Sequence, residues 1–231
     1  MIEIIKQQKR KSSIINYPKT YKIKSFMKKQ ICPQCGKEYK RSSCEYCARE
    51  KKWDDSIVTK FFTPRVNYDL KKFDMELKDT HIKSLRNNKS LLLTSEAGTG
   101  KTLYACQLLL EVVKLDYIEG KFKPNSFAFL SLPELFYQLK QMINKDDCYD
   151  LIDKYQNIHY LIIDDLGVEN ASQKTSDWYL TNLYLIINYR YEYIKPTIYT
   201  TNLSPEEISE SIDDRIATRI SNNCKIANFK R

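Results

Sequence analysis

The sequence predicts an α/β fold in which helices flank a parallel β-sheet, preceded by a small cysteine-bearing module. Three observations predict it. Short apolar runs that end in polar residues alternate with longer helical patterns, as expected for strands joined by helical crossovers. One of these runs leads directly into a glycine-containing turn at residues 95–100. Near the amino terminus, four cysteines occur as two close pairs.

The composition sets the limits of this fold. A chain of 231 residues with 42% apolar content can form one full α/β core plus a small appendage. We expect the boundary between residues 1–60 and residues 61–231. No run of eighteen apolar residues occurs, and residues 1–6 do not read as a secretory signal. We therefore expect a cytoplasmic protein with no membrane partner.

The positive charge is concentrated near the amino terminus. Residues 1–60 hold 16 Lys and Arg against 6 Asp and Glu, whereas the remainder holds 22 against 23. A concentrated basic segment favours a polyanionic partner such as nucleic acid. A solubilising tail is the alternative.

The cysteine pairs have the spacing C-x₂-C-x₈-C-x₂-C, formed by Cys32, Cys35, Cys44 and Cys47. Four thiolates in two tight pairs match the tetrahedral coordination of Zn²⁺. Disulfide pairing is the alternative, and a reducing compartment argues against it. With no histidine nearby to mark an open catalytic position, we predict a structural zinc.

The first strand of the core is predicted at residues 90–95, before the turn Ser95–Thr102. Only five glycines occur in the chain, and Gly98 and Gly100 are both in this turn. Glycine allows positive φ, so backbone N–H groups can surround an anion next to a helix N-terminus. The pattern matches a phosphate-binding P-loop except at Ser95, where glycine is usual. An ordinary glycine turn is the alternative. The predicted nucleotide-binding residues are Ala97, Gly98, Thr99, Gly100, Lys101, which would reach the outer phosphates, and Thr102, whose hydroxyl would ligate Mg²⁺.

Two adjacent acids end a second apolar run at Tyr160–Gly167. Neighbouring carboxylates repel each other unless a cation lies beside them, and Mg²⁺ is the natural candidate. We predict that Asp164 holds Mg²⁺ as a Walker B aspartate and that Asp165 orients or deprotonates the attacking water. A solvated acidic turn is the alternative.

The intervening and following elements complete an alternating pattern. We predict a helix at 101–115, a strand at 126–131, helical patterns over 133–155 and a helix at 174–192. A β-branched strand then ends at Asn202, whose amide would hold the lytic water near the γ-phosphate; a simple turn asparagine is the alternative. A closing strand is predicted near 224–229.

Two arginines share one face of a predicted helix in the segment Asp213–Ile220. Arg215 and Arg219 are four residues apart, which places them on the same side of a helix. An arginine presented to the nucleotide of a neighbouring subunit stabilises transition-state charge. A solvated basic face, paired with Asp213 or Asp214, is the alternative.

Taken in order, these segments resemble AAA+ ATPases of the bacterial helicase-loader type, the DnaC and DnaI proteins, and the similar IstB transposition ATPases. The resemblance covers residues 61–231 and rests on SEAGTGKT, LIIDDLGVE, INYRYEYIKPTIYTTNLS and DDRIATRI. It implies a P-loop AAA+ sheet, sensor 1 at Asn202 and an arginine finger at Arg219 with Arg215 beside it. It also implies that no C-terminal lid follows. Arg190 matches the family pattern, although a surface arginine is the alternative.

The resemblance implies a function as well. The leading hypothesis is an ATP- and Mg²⁺-dependent ATPase that self-associates through its ATP interface, binds single-stranded DNA and helps to load a replicative DNA helicase. An IstB-like ATPase that assists a DNA transposase is the second hypothesis, and the zinc module favours the first. A zinc-bearing adaptor that binds ATP only as a switch is the third. Because Asp165 stands where many AAA+ proteins have glutamate, we expect slow hydrolysis without a partner.

Overall fold

The computed structural model describes residues 29–39, 43–73, 75–124, 126–142, 148–167 and 177–228. The basic segment before residue 29 lies outside the described residues, as do the first residues of the helix predicted at 174–192. The chain divides between Cys44 and Glu45 into two compact units. In the described residues, no helix combines the length and the apolar character needed to cross a membrane.

The smaller unit contains an antiparallel hairpin of strands β1 (Gln30–Ile31) and β2 (Glu38–Tyr39). In the connecting turn, the Cys32 N–H donates to the carbonyl oxygen of Lys37 at 2.9 Å, and the Gly36 N–H donates to that of Cys32 at 2.8 Å. Gly36 has a φ of 67°, a left-handed conformation that glycine adopts without steric cost. The hairpin therefore bends the chain tightly around its first cysteine pair.

The larger unit alternates helices with strands. In the part of this unit that the structure describes, the strands are β3 (Ser90–Thr94), β4 (Phe127–Ser131), β5 (Tyr160–Leu166), β6 (Thr197–Thr201) and β7 (Cys224–Asn228). The helices found in its described residues are α1 (Glu45–Glu50), α2 (Ser56–Thr59), α3 (Pro64–Lys72), α4 (Asp79–Arg86), α5 (Lys101–Ile118), α6 (Leu132–Gln141), α7 (Cys148–Asn157), α8 (Asp177–Glu192), α9 (Pro205–Ser211) and α10 (Asp214–Asn223).

The five strands form one parallel sheet in the order β4-β5-β6-β3-β7. The parallel sheet expected from the sequence is confirmed. Strand β6 lies between β3 and β5, so the strand that leads into Asn202 separates the strand before the P-loop from the strand that carries Asp164 and Asp165. Because all strands run in the same direction, their carboxyl ends meet at one edge, where ligands of such sheets bind.

Strands β3 and β5 are buried on both faces of the sheet, which explains why they are continuous apolar runs instead of alternating ones. Leu91 and Leu93 pack on one face together with helix α5. Leu92 points to the opposite face, which is covered by residues of α6, α7, α8 and α10. Successive side chains of a strand therefore pack into two different hydrophobic cores, one on each face of the sheet. Helix α5 is itself largely buried, because strands and the preceding helices surround it.

Two local features differ from the expected pattern. The helical pattern over 133–155 forms two helices, α6 and α7, and the residues between them lie outside the described part of the chain. Helix α9 was not predicted, although its start carries a recognisable signal. Ser204 accepts a hydrogen bond from the Glu207 N–H at 3.2 Å, and the Glu207 carboxylate accepts one from the Ser204 N–H at 2.7 Å. Pro205 follows the cap, so this is a capping box with proline in the first turn.

Arg190, on α8, is buried and only 1% exposed, so the surface alternative for this residue is wrong. Its guanidinium uses all five of its N–H groups. Burial without a facing carboxylate lowers the pKa of Arg190 to about 10. The acceptors are Thr197 Oγ1 (2.8 Å) and the carbonyl oxygens of Tyr155 (2.9 Å), Ile158 (2.7 Å), His159 (2.9 Å) and Pro196 (2.9 Å). Arg190 therefore joins α8 to the segments that precede β5 and β6.

Substituting Arg190→Ala should destabilise the fold strongly. It leaves four carbonyl groups and one hydroxyl without their donor, at about 1–3 kcal/mol for each group that water does not reach. We expect the free energy of unfolding in urea to fall by more than about 3 kcal/mol.

Arg65→Ala is the matched control, because the Arg65 side chain is 80% exposed and contacts Asp69 and the ring of Tyr68 on its own helix. It should leave the urea midpoint almost unchanged. An Arg190→Ala protein that unfolds at the wild-type urea concentration would contradict the assignment.

Candidate nucleotide and zinc sites

The turn at residues 95–100 connects the carboxyl end of β3 to the first residue of α5. Gly98 and Gly100 have φ values of 75° and 92°, so both adopt the left-handed conformation that the sequence predicted for glycine. A Cβ on Gly98 would project into open space, so the backbone here has no covering group. The turn also forms one wall of a cavity of about 610 Å³. Together with the helix N-terminus, this geometry fits a phosphate group.

Lys101 is the buried cation of this turn, with 7% of its surface exposed. Its ammonium donates to the carbonyl oxygens of Ser95 (2.9 Å) and Glu96 (2.8 Å) and to Asn202 Oδ1 (2.8 Å). Burial lowers the pKa of Lys101, and the nearby acids on β5 oppose that shift. The structure thus joins the P-loop lysine to the predicted sensor asparagine, which lies 101 residues away in sequence.

Ser95, the one departure from the P-loop pattern, belongs to the same network. Its hydroxyl contacts that of Thr99 at 2.5 Å and accepts from the Lys101 ammonium at 3.3 Å. A small hydroxyl side chain therefore fits where glycine is usual and adds a hydrogen bond inside the turn.

Asp164 is 5% exposed and accepts hydrogen bonds from two hydroxyl groups. Thr102 Oγ1 is 2.8 Å from Asp164 Oδ1, and Thr200 Oγ1 is 2.6 Å from the same oxygen. Burial raises the pKa of Asp164, while the hydrogen bonds from Thr200 and Thr102 oppose the rise. A buried carboxylate beside a hydroxyl offers the oxygen ligands that Mg²⁺ prefers, so the donor set fits that ion.

Asp165, the next residue, has a φ of 61°, a left-handed conformation that is uncommon outside glycine. Its backbone N–H donates to Thr200 Oγ1 at 3.0 Å. The pairing of β5 with β6 also shifts register between Ile163 and Leu166. Such strain costs about 1–3 kcal/mol and is concentrated at functional sites. The kink gives the two adjacent acids different surroundings, since Asp164 is buried and Asp165 is half-buried.

Arg215 and Arg219 lie on α10 and contact α8. Arg215 pairs with Asp213 at 2.8 Å, and its guanidinium lies 4.6 Å from the ring centroid of Tyr184. Arg219 donates to Asn188 Oδ1 at 3.0 Å and lies 5.7 Å from the same ring. Both arginines therefore flank one tyrosine of α8, whereas the P-loop, the two acids and Asn202 form a separate group at the sheet edge.

The family of this chain follows from comparison with known proteins. The model of the family described as "IstB-like ATP binding protein" matches residues 67–227. The chain belongs to this family. Its IstB-like region includes the P-loop, both acids of β5, Asn202 and the two arginines of α10, and ATP binding is the property for which the family is named.

Two curated relatives match part of this IstB-like chain. The phage-like element PBSX protein XkdC of Bacillus subtilis (strain 168) is 29% identical over 144 residues, which cover 62% of this chain and 50% of XkdC. The uncharacterized protein YqaM of the same organism is 28% identical over 145 residues, covering 62% of this chain and 43% of YqaM. The chain spans about half the length of the curated relatives it matches.

Solved structures share the fold. The DnaC helicase loader has a TM-score of 0.53 at 24% identity, over 73% of this chain and 100% of that chain. DnaI has a TM-score of 0.54 at 22% identity, over 74% and 96%. AMPPCP-bound DnaA from Aquifex aeolicus has a TM-score of 0.56 at 17% identity, over 74% and 51%. The predicted resemblance to IstB-like proteins is confirmed for the family, and the resemblance to DnaC and DnaI is confirmed for the fold.

The four cysteines that form the two amino-terminal pairs lie in one cluster. The sulfur atoms of Cys32, Cys35, Cys44 and Cys47 all lie within 4.8 Å of one another. Cys35 Sγ and Cys44 Sγ are 3.6 Å apart, well beyond the roughly 2.05 Å of a disulfide bond. Four sulfurs bound tetrahedrally to zinc lie about 3.8 Å apart, given Zn–S bonds of about 2.3 Å. The cluster therefore fits Zn²⁺.

Two residues of the sites escaped sequence reasoning. Thr200 contacts both acids, and its only sequence signal is a hydroxyl in an otherwise buried strand, two residues before Asn202. Tyr184 contacts both arginines, and its only signal is a position one helical turn before Asn188. Neither type of residue marks a site by itself, because both are common in strands and helices.

The purified chain should contain about one zinc per molecule, as a four-thiolate site binds a single ion. We expect Cys35→Ser and Cys44→Ser to lose that zinc in elemental analysis, since each removes one thiolate ligand. Cys148→Ser is the control, because Cys148 lies on α7 outside the cluster, and it should retain the metal. A wild-type protein without zinc would refute the site.

Proposed function

We propose that this chain is an ATP-dependent DNA replication protein, an AAA+ ATPase of the helicase-loader kind that binds single-stranded DNA and a replicative DNA helicase. One observation carries the proposal. Lys101 contacts Asn202 while Thr102 contacts Asp164, at 2.8 Å in each case, so β3, β6 and β5 bring the P-loop, the sensor and the Walker B acid together. This arrangement supports binding of a nucleoside triphosphate.

Each residue of the site has a role in this proposal. The backbone of residues 97–100 and the Lys101 ammonium bind the phosphates, and Thr102 and Asp164 hold Mg²⁺. That ion neutralises charge on the phosphate oxygens when bound. Asp165 orients and deprotonates the attacking water, and Asn202 holds that water. Lys101 already donates to Asn202, which fixes the amide beside the cation.

Hydrolysis by this site alone should be slow. The Asp165 carboxylate extends one methylene less than the glutamate found in many AAA+ proteins. Asp165 itself has a left-handed backbone conformation, which limits how far its side chain can adjust. A partner that shifts β5 or β6 would therefore change turnover more than binding.

Self-association supplies the remaining groups. Arg215 and Arg219 contact α8 and are grouped apart from the nucleotide residues of their own chain, which agrees with a role toward a neighbouring subunit. Arg219 is half-buried and its guanidinium is oriented by Asn188, so the side chain is already ordered before a partner arrives. A preordered arginine loses less entropy on meeting a phosphate.

Three observations support single-stranded DNA and a replicative helicase as the partners. The fold is that of the DnaC helicase loader and DnaI. Residues 1–60 carry a net charge of +10, which suits the phosphates of single-stranded DNA. A cysteine cluster that fits zinc precedes the ATPase region, and such a module offers a separate surface for a protein partner.

Assistance to a DNA transposase is the second candidate function. The observation that favours it is the family itself, whose description names IstB. The matching protein XkdC belongs to a phage-like element, and this origin is compatible with either function. The zinc-binding cluster favours the loader, because IstB-type transposition ATPases more often begin with a helical domain.

Lys101→Ala should weaken binding of Mg-ATP at least tenfold, as it removes a charged donor to the phosphates, worth roughly 10- to 100-fold in affinity. Asp165→Asn should keep that affinity and lose hydrolysis, because asparagine accepts the left-handed backbone but cannot take a proton. Calorimetry measures the affinity of each variant for Mg-ATP, and a single-turnover assay measures the hydrolysis rate of Asp165→Asn.

Lys114→Ala, on the same helix as Lys101, is the control and should bind as the unmodified chain does. The unmodified chain should hydrolyse ATP slowly by itself. Two results would contradict this account: no affinity of the unmodified chain for Mg-ATP, or rapid turnover without a partner.

A tagged chain purified from its native host with ATP and Mg²⁺ should retain a hexameric replicative helicase, identified by mass spectrometry. The Lys101→Ala chain should retain less of it, since the ATP-bound assembly forms the binding surface. Recovery of a transposase instead would select the second candidate. If Asp165→Asn abolishes hydrolysis and leaves the function of the chain in its native host unchanged, the result would select the adaptor, in which ATP is only a switch.

A further inference from the structure

One hydroxyl group lies between the two acids of β5. Thr200, on β6, is fully buried, with 0% of its surface exposed. Its Oγ1 is 2.6 Å from Asp164 Oδ1 and 3.0 Å from the Asp165 backbone nitrogen. Since the Asp165 N–H can only donate, the hydroxyl accepts from it and directs its own proton to the carboxylate. The Thr200 hydroxyl thus donates to the Asp164 carboxylate and accepts from the backbone of Asp165.

This contact defines the position of the Asp164 carboxylate. Thr102 donates to the same oxygen from α5, so hydroxyl groups from α5 and from β6 both hold Asp164 Oδ1. Groups that hydrogen-bond to a metal-binding carboxylate set its orientation, and their removal typically costs 10- to 100-fold in metal affinity or activity. Thr200 occupies that place for the carboxylate proposed to hold Mg²⁺.

The same contact accompanies the unusual backbone of Asp165. A left-handed conformation at a non-glycine residue persists where the surroundings define it. The Asp165 N–H points to Thr200 Oγ1 and not into the regular pairing of β5 with β6, which shifts register between Ile163 and Leu166. Thr200 therefore receives the N–H that the kink removes from the sheet.

Asn202 follows directly after β6, two residues beyond Thr200. Asn202 accepts from Lys101, while Thr200 contacts Asp164 and Asp165. A displacement of β6 along its axis would change the contacts of the P-loop lysine and of both acids together.

We infer that Thr200 is a positioning residue, which aligns Asp164 for Mg²⁺ and Asp165 for water and couples both acids to the strand that leads into Asn202. The inference rests on the Mg-ATP site of the proposed function. It assigns Thr200 a role beyond satisfying buried polar groups. Those two roles make different predictions for Mg²⁺-dependent binding.

The test compares ATP affinity in excess Mg²⁺ with ATP affinity in EDTA, both by calorimetry without turnover. Thr200→Val keeps the shape and removes the hydroxyl, and we expect the ratio of the two affinities to fall about tenfold. Affinity in EDTA should stay within about twofold, since Thr200 does not contact the P-loop backbone. Thr200→Ser restores the hydroxyl and should restore the ratio.

Thr197→Val is the matched control on the same strand. Thr197 is 1% exposed, and its hydroxyl binds Arg190 away from the acids. This variant should lose stability and keep the wild-type ratio. If Thr200→Val does not fold, Thr200→Ala carries the same expectation, because its smaller side chain leaves room for water beside the Asp165 N–H.

The outcomes separate this inference from the proposed function. A Thr200→Val or Thr200→Ala chain with the wild-type ratio overturns the role of Thr200 and leaves the Mg-ATP site intact. An equal loss in Thr197→Val also overturns it, since the effect would then be general destabilisation. A wild-type chain whose ATP affinity does not depend on Mg²⁺ overturns both.

Discussion

The structure depends on one buried carboxylate. Asp164 is 5% exposed at the carboxyl end of a central strand, and burial raises its pKa. Removing a carboxylate from water is costly unless hydrogen bonds and a cation compensate for the lost hydration. Thr102 and Thr200 supply the hydrogen bonds, and Lys101, the first residue of α5, supplies a nearby positive charge. The positions of α5, β5 and β6 relative to one another are constrained by this single group.

Strand β6 is held at both ends by polar side chains. At its beginning, Thr197 binds the buried guanidinium of Arg190, which also holds the segments before β5 and β6. At its end, Thr200 and Asn202 contact the acids and Lys101. Side chains of β6 thus contact α8 at one end of the strand and the acids of the candidate site at the other. Because α8 also contacts Arg215 and Arg219, the elements that would meet a neighbouring subunit are linked to those that would meet the nucleotide.

The cysteine cluster follows a different physical logic. A hairpin of two-residue strands buries little apolar surface, so zinc bound to the four cysteines would supply stability that the core cannot. The tight turn at Gly36 allows the first pair of thiols to converge. This part of the chain could be predicted from spacing alone, because the ligand set of a structural zinc site is local in sequence.

The sequence by itself determined the sheet and the chemistry of its edge. The apolar runs predicted parallel strands buried on both faces, and the residues at their carboxyl ends predicted the P-loop, both acids and Asn202, since these signals are local. Only the tertiary structure decided which groups are contacted by Thr200, Arg190 and the arginines of α10. Thr200 and Asp164 are 36 residues apart, and Arg190 reaches carbonyl groups up to 35 residues away. Such contacts depend on how strands align and helices pack, which no local pattern of residues encodes.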